Sequence, residues 1–175
     1  MTHFETISSC RLCEKSTLVE FVSLGTQTLT GTFPASRDTT VSAGPLRLVV
    51  CSHCKLVQLG ETYDLAQLYG ENYSYRSSLN AAMSHHLRLK VSWLERNFVP
   101  NAGDLVVDIG SNDGTLLRAY QTKGLDRVGV DPVGGRFSDN YDGMSLVPEF
   151  FGTQTAGQLG PKKAKIITSM AMFYS

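Results

Sequence analysis

The sequence lacks a surplus of charge of either sign, because 16 lysines and arginines balance 16 aspartates and glutamates among 175 residues. A neutral chain has no strong field to attract nucleic acid or an anionic membrane. The N-terminus lacks a charged segment followed by an apolar one, and the longest apolar runs are far shorter than a membrane span. Repeats and low-complexity segments are also missing. We therefore expect a cytoplasmic protein with no nucleic-acid and no membrane partner.

Cysteine is scarce, and all four cysteines fall into two C-x-x-C pairs, Cys10 with Cys13 and Cys51 with Cys54. Each two-residue spacer turns both thiolates toward one point, so two such knuckles can share a tetrahedral Zn²⁺. The segment 14–50 between the knuckles is longer than a compact ribbon needs, which predicts a small inserted lobe. The sequence therefore predicts a structural zinc site.

Other uses of these cysteines are disfavoured. Without a secretion signal two disulfides are not expected, and a redox C-x-x-C stands singly beside a βαβ unit. Four thiolates leave no open coordination position, which argues against catalytic zinc. His53 could replace one cysteine, but it adjoins Cys54, and we expect it to face solvent or to lie behind the ligands.

A nucleoside-binding crevice is predicted by a glycine-rich turn after an apolar strand. That strand ends at Asp108, Gly110 permits a sharp turn, Gly114 permits close approach of a ligand, and a helix follows. The next predicted strand ends at Asp131, whose carboxylate can accept hydrogen bonds from ribose hydroxyls.

The turn does not fit a dinucleotide site. The G-x-G-x-x-G pattern, which holds a pyrophosphate at a helix N-terminus, has Asn112 and Thr115 where its second and third glycines belong. S-adenosylmethionine has no phosphate, and the D-x-G-x-N-x-G pattern present here resembles motif I of class I methyltransferases. We therefore favour S-adenosylmethionine over a nicotinamide cofactor or a purely structural turn.

Three regions follow from the patterning, and the 42% of hydrophobic residues suffices for one domain with an appendage. Residues 1–62 are predicted to form the zinc-binding lobe, with a hairpin of 46–50 and 56–59 carrying the second knuckle. Residues 63–99 are predicted to be a helical connector. Residues 100–175 are predicted to be α/β, with strands near 105–108, 127–131, 145–147 and 165–169 and a helix near 114–123.

Polar residues cluster just before the connector's long helix. Tyr73, Tyr75, Arg76 and Ser77 make a dense hydrogen-bonding surface with little apolar content, which predicts substrate contact. The alternative is a capping loop in which Ser77 or Ser78 caps the helix.

The long helix also carries histidines and aromatic residues for which we expect structural rather than functional roles. His85 and His86 are adjacent and face different sides, so we expect one packed and one exposed histidine rather than a metal or base pair. Trp93 and Phe98 are expected in the core.

The order of these motifs resembles the N-terminal part of the zinc-containing, S-adenosylmethionine-dependent sugar C-methyltransferases, which methylate nucleotide-linked keto-deoxysugars. The resemblance rests on two C-x-x-C knuckles, Y-x-Y-x-S-S, D-I-G-S-N-D-G-T-L-L, G-V-D-P and a later E-F-F. It implies an N-terminal zinc lobe, a helical segment and the first half of a Rossmann-like sheet. The implied ligands are Cys10, Cys13, Cys51 and Cys54 for zinc; Asp108, Gly110, Asn112, Gly114, Asp131, Glu149, Phe150 and Phe151 for S-adenosylmethionine; and Tyr75 for the sugar.

In that family a base removes the proton beside a sugar ketone, and the enolate carbon takes the methyl group. The resemblance implies that the Tyr75 hydroxyl stabilises the enolate oxygen. The sequence ends after the fourth of seven expected strands, before the family's base, so we expect an incomplete catalyst. Its expected partners are the nucleotide sugar and either the rest of the enzyme or a second copy bound at the exposed sheet edge. Two alternatives remain, a noncatalytic zinc and donor-binding module and a zinc-ribbon methyltransferase acting on RNA or protein.

Overall fold

The structure is a computed structural model that describes residues 4–29, 34, 36–69 and 73–172. Its contacts divide the chain into two compact units, Met1–Ser74 and Tyr75–Ser175. The three-region division stays a prediction, and each unit is described by itself.

The first unit is built from two small antiparallel sheets. Strand β1 (Phe4–Thr6) pairs with β5 (Glu61–Tyr63), and β3 (Ala43–Cys51) lies between β2 (Leu18–Thr28) and β4 (Val57–Leu59). The predicted hairpin around the second knuckle is confirmed, because β3 pairs antiparallel with β4. A short helix, α1 (Leu65–Tyr69), follows β5.

The second unit begins with a 3₁₀ turn (Ser77–Leu79) and the long helix α2 (Ala81–Phe98). The α2 cap is neither of the two predicted serines. The Asn80 side chain accepts a hydrogen bond from the Met83 amide at 3.1 Å, which satisfies one of the free amides of the first turn.

Helix α2 buries only a narrow stripe, so two predictions about it were wrong. Leu87 and Val91 are buried, whereas Trp93 is 50% and Phe98 46% exposed, although both were expected in the core. The two rings instead contact each other edge to face at 6.0 Å. His85 and His86 are both exposed, because the buried stripe passes through neither position.

A four-stranded parallel sheet forms the centre of the second unit. Its strands are β6 (Leu105–Ile109), β7 (Asp126–Val130), β8 (Ser145–Val147) and β9 (Ala164–Ser169), in the order β8-β7-β6-β9. Strand β6 is buried on both faces, with Val106 facing the Leu87 and Val91 cluster and Leu105 and Val107 facing Val130. The expected α/β class and the four strands are therefore confirmed.

The helix after β6 is shorter than predicted. The sequence predicts a helix over 114–123, but α3 spans only Thr115–Arg118. One oxygen of Glu95, from α2, accepts hydrogen bonds from the amides of Gln121 (3.0 Å) and Thr122 (2.8 Å) and from the Thr122 hydroxyl (2.7 Å). These amides are thus satisfied without a further helical turn.

Two short elements complete the second unit, a kinked 3₁₀ stretch at Gly134–Tyr141 and helix α4 (Thr153–Gln158). Within the described part of the chain, each helix is too short or too polar to cross a lipid bilayer.

Candidate functional site

The four cysteine sulfurs of the first unit converge. All four Sγ atoms lie within 4.8 Å of one another, with Cys10 to Cys54 and Cys13 to Cys51 each at 3.6 Å. A tetrahedral zinc with Zn–S bonds of about 2.3 Å places its sulfurs about 3.8 Å apart. All four cysteines are free thiols. The donor set and its spacing therefore fit Zn²⁺.

The two knuckles have the same backbone geometry. The Glu14 amide donates to the Cys10 carbonyl and the Lys55 amide donates to the Cys51 carbonyl, both at 2.9 Å. Glu14 and Lys55 adopt left-handed φ values of 61° and 67°, each just after the second cysteine of its pair. Two similar turns around one point account for the convergence of the four sulfurs, two from the loop after β1 and two from the end of β3 and the turn that follows it.

Hydrogen bonds from neighbouring side chains fix the ligand sulfurs. Gln58 Nε2 donates to Cys10 Sγ at 3.2 Å, while its Oε1 accepts from the Arg11 amide at 3.1 Å. Such groups orient metal ligands and tune their charge. His53 is exposed and lies outside the sulfur cluster, as expected.

The sulfurs also perturb one another's charge. The Thr17 hydroxyl, at 3.3 Å, and the Cys54 amide lower the pKa of Cys51 to about 6. The Leu56 amide lowers the pKa of Cys54, but burial and the three other sulfurs outweigh it and raise that pKa to about 12. The neighbouring sulfurs thus disfavour the simultaneous ionisation of all four thiols, and a divalent cation would remove that repulsion.

The second unit carries the glycine loop, residues 110–114, between β6 and α3. Gly110, Asn112 and Gly114 all have left-handed φ, at 74°, 50° and 73°. A Cβ on Gly110 would lie 2.6 Å from the Cγ of Met172, so that side chain would have to move, and the left-handed φ favours glycine in any case.

Asp131 lies immediately after β7 and is tied to the glycine loop. One carboxylate oxygen accepts the Asn112 amide and the other accepts the Val133 amide, both at 2.8 Å. Burial raises the pKa of Asp131, and the amides of Asn112, Val133 and Gly134 partly offset that rise. These amides do not fill the carboxylate's lone pairs, so it can still accept a further donor such as a ribose hydroxyl.

Asp108 lies deeper than Asp131, at the end of β6. It is 3% exposed, and burial raises its pKa to about 7, with the Thr168 hydroxyl opposing the rise and the Asp131 charge adding to it. Asp108 is thus a buried residue near the carboxyl end of β6, below the glycine loop that follows it in the chain.

The tyrosine segment, residues 73–78, is held by the glycine loop from Tyr75 onward. Asn112 Nδ2 donates to the Tyr75 carbonyl at 3.1 Å, and its Oδ1 accepts the Ser77 amide at 2.9 Å. Asp113 accepts the Ser78 amide at 3.1 Å and Arg76 Nε at 3.3 Å. The loop therefore fixes the backbone at Tyr75 and Ser77, two of the residues that were predicted to contact substrate.

Asp113 was missed by the sequence reasoning. It is fully buried. Burial raises its pKa, but hydrogen bonds from Ser78, Thr115 and Arg76 outweigh that effect and hold the pKa below its usual range. The only sequence signal was an acid inside a glycine-rich turn.

Tyr73 belongs to the first unit, where its ring contacts Tyr69 at 5.3 Å.

The acid and aromatic pair after β8 line a cleft of about 640 Å³. Phe150 and Phe151 are 41% and 46% exposed, and Glu149 is exposed beside them. The Asp131 amide bonds the Val147 carbonyl at 3.1 Å, so this cleft and Asp131 follow the ends of neighbouring strands. The structure thus brings Asp108, Asp131, the glycine loop and Glu149 to Phe151 to one edge of the sheet.

Comparisons with known proteins match both the cysteine-rich segment and most of the chain as a whole. Residues 10–69 match a family model described as "Putative zinc binding domain". The chain is also 30% identical over 164 residues to C-methyltransferase NovU of Streptomyces niveus, which takes in 89% of this chain. It spans 38% of the length of that relative. The predicted resemblance is confirmed to this extent: residues 10–69 resemble a zinc-binding family model, and the chain resembles the N-terminal part of a C-methyltransferase.

Proposed function

We propose that this chain binds S-adenosylmethionine at the carboxyl ends of β6, β7 and β8 and provides the donor site of a C-methyltransferase. The observation that carries the proposal is the placement of Asp131 beside the glycine loop in a parallel α/β sheet. In such sheets ligands bind outside the carboxyl ends of the strands. The similarity to a C-methyltransferase supports the choice of ligand.

Each part of the donor has a candidate site. Asp131 would accept hydrogen bonds from the ribose hydroxyls. The backbone at Gly110 and Gly114 would approach the methionine end, above Asp108. Glu149, Phe150 and Phe151 would bind the adenine in their cleft, where exposed aromatic rings offer stacking faces.

The same geometry disfavours a nicotinamide dinucleotide. A pyrophosphate is held by the free amides of a helix N-terminus, reached through glycines that let the backbone come close. Here the Asn112 side chain lies at the second glycine position and is engaged with the tyrosine segment. Helix α3 has only four residues. A donor without phosphates fits this loop better.

The substrate we propose is a nucleotide-linked keto-deoxysugar. The donor supplies an electrophilic methyl group, and the sugar carbon beside the ketone is the nucleophile. Tyr75, which is 41% exposed and follows the first unit directly, would donate its hydroxyl hydrogen to the developing enolate oxygen. Arg76 and Ser77 would hold the sugar's polar groups. Zinc would be structural, because all four of its positions are taken by sulfur.

Calorimetric titration of the chain with S-adenosylhomocysteine tests the donor site. Asp131→Ala should weaken binding by about tenfold to a hundredfold, since charge-assisted hydrogen bonds contribute about 1.5 to 3 kcal/mol. The matched control is Asp126→Asn, an exposed acid at the opposite end of the same strand. It should bind like the wild type. Tighter binding of NAD than of S-adenosylhomocysteine would overturn the proposal.

The role of Tyr75 needs a separate measurement. In a longer protein that also supplies the expected base, Tyr75→Phe should lower methyl transfer to the keto-sugar by about a hundredfold or more without changing the affinity for S-adenosylhomocysteine. Mass spectrometry of the sugar product measures the transfer. Tyr69→Phe, an aromatic substitution outside the segment, serves as the control. Equal transfer rates in wild type and Tyr75→Phe would remove Tyr75 from the reaction.

A further inference from the structure

Asn112 is connected on two sides. Its backbone amide donates to Asp131 at 2.8 Å, and its side chain makes both a donated and an accepted hydrogen bond to the tyrosine segment. The residue itself is 7% exposed and adopts a left-handed φ of 50°. A buried amide whose two ends are both satisfied has one orientation, so it fixes the distance between its partners.

The neighbouring residues strengthen this connection. The Asn112 carbonyl accepts the Tyr141 hydroxyl at 2.9 Å, and that hydroxyl lies 2.8 Å from the Ser111 hydroxyl. Asp113 adds the Ser78 amide and the Arg76 guanidinium, which also lies over the Phe137 ring at 5.3 Å. The segment is therefore attached to the loop through three backbone groups, the Tyr75 carbonyl and the Ser77 and Ser78 amides, and through the Arg76 side chain.

We infer that Asn112 is a positioning residue that couples the donor site to the tyrosine segment. A ligand that orders Asp131 and the glycine loop also orders the backbone of Tyr75 to Ser78, and an ordered segment in turn favours the ligand. This reciprocity follows from linkage between two sites that share one structural element. The inference rests on the proposed function for the identity of the ligand. Its structural half, that Asn112 holds the backbone of the tyrosine segment, does not need a ligand.

The coupling implies an order of binding for the proposed reaction. The donor fixes the segment before the sugar contacts it, so the sugar meets a preorganised surface only after the donor is in place. Sugar affinity should therefore rise when S-adenosylhomocysteine is present, by a factor of about five or more.

Hydrogen exchange of the full 175-residue chain, followed by mass spectrometry, tests the structural half. Asn112→Gly keeps the left-handed backbone and the amide bond to Asp131 but removes both side-chain bonds. Without ligand it should speed exchange of the Ser77 amide by about tenfold or more. Asn112→Asp restores an acceptor for that amide and should recover part of the protection. Ser111→Ala, which loses a hydrogen bond of the same loop but none to the segment, is the matched control.

Adding S-adenosylhomocysteine tests the coupling. In the wild type the ligand should slow exchange across 76–79, whereas in Asn112→Gly the ligand at saturating concentration should leave that exchange unchanged. Because both proteins are compared at saturation, a loss of affinity in the variant is separated from a loss of coupling, and a merely structural role would leave the ligand's protection of 76–79 in place. Unchanged Ser77 exchange in ligand-free Asn112→Gly, or ligand protection that persists in this variant, would overturn the inference. Failure of the wild type to bind the ligand would instead overturn the proposed function and the donor half of this inference, while the ligand-free comparison still decides the structural half.

Discussion

The carboxylate of Asp108 accepts a 2.6 Å hydrogen bond from the hydroxyl of Thr168, its partner on the neighbouring parallel strand. Burial raises the pKa of Asp108 from 3.8 to about 7 despite this bond, and the Asp131 charge adds to the rise. The folded protein therefore keeps a proton at Asp108 over a pH range in which the unfolded chain has lost it.

Stability of the second unit should consequently fall as pH rises from about 4 to 7. In that range the folded state binds more protons than the unfolded state, so the free energy of unfolding decreases with pH, by up to about 4 kcal/mol. The raised pKa of Asp131 acts in the same direction. The lowered pKa of Asp113 acts oppositely, but only where pH falls below its usual value.

Urea unfolding followed through Trp93, the only tryptophan in the sequence, measures this dependence. Asp108→Asn keeps the shape of the side chain and an acceptor for Thr168 but cannot ionise. Both proteins contain the same cysteine cluster, so any acid sensitivity of that cluster cancels in the difference between their free energies of unfolding. Parallel pH profiles for the two proteins would contradict the assignment.

Purified protein should contain one zinc ion per chain, bound by the four thiolates of Cys10, Cys13, Cys51 and Cys54. Binding of structural zinc contributes on the order of 10 kcal/mol, more than a lobe of this size gains from its own apolar burial. Elemental analysis should show loss of zinc in Cys51→Ser and full occupancy in His53→Ala, the exposed neighbour of Cys54. Zinc-free native protein, or a disulfide between Cys10 and Cys13, would disprove the site.

Gln58 should tune zinc affinity without being a ligand. Gln58→Leu removes the hydrogen bond to Cys10 and the acceptor of the Arg11 amide, so we expect zinc affinity to fall by about tenfold to a hundredfold. Competition with a chromogenic chelator measures it. Thr62→Ala, which removes a single exposed contact of the Arg11 guanidinium, should leave affinity close to that of the wild type.

Glu95 should stabilise the turn that follows α3. Glu95→Ala leaves the amides of Gln121 and Thr122 without their acceptor, and we expect a loss of about 1 to 3 kcal/mol in the free energy of unfolding. Glu95→Gln keeps the accepting oxygen and should lose less. Trp93 fluorescence during urea unfolding compares the two variants, and equal losses would show that the charge, rather than the acceptor, matters.

Local patterns in the sequence determined much of this protein. The C-x-x-C spacing predicted the sulfur cluster, because two residues between ligands fix a knuckle with little help from the rest of the chain. The alternation of apolar strands with polar turns predicted the four strands of the α/β unit, and Gly110 predicted the sharp turn after the first of them. Each of these signals depends on residues only a few positions apart.

Tertiary structure decided what depends on distant partners. Helix α3 ends at Arg118 because Glu95 satisfies the following amides from another helix. Trp93 is half exposed because only one stripe of α2 meets the sheet. Asn112 and Asp113 hold the tyrosine segment through hydrogen bonds to backbone groups some 35 positions away. Almost every residue carries the same backbone amide and carbonyl. The side-chain pattern at 75–78 therefore could not predict that the glycine loop would bind the backbone of this segment.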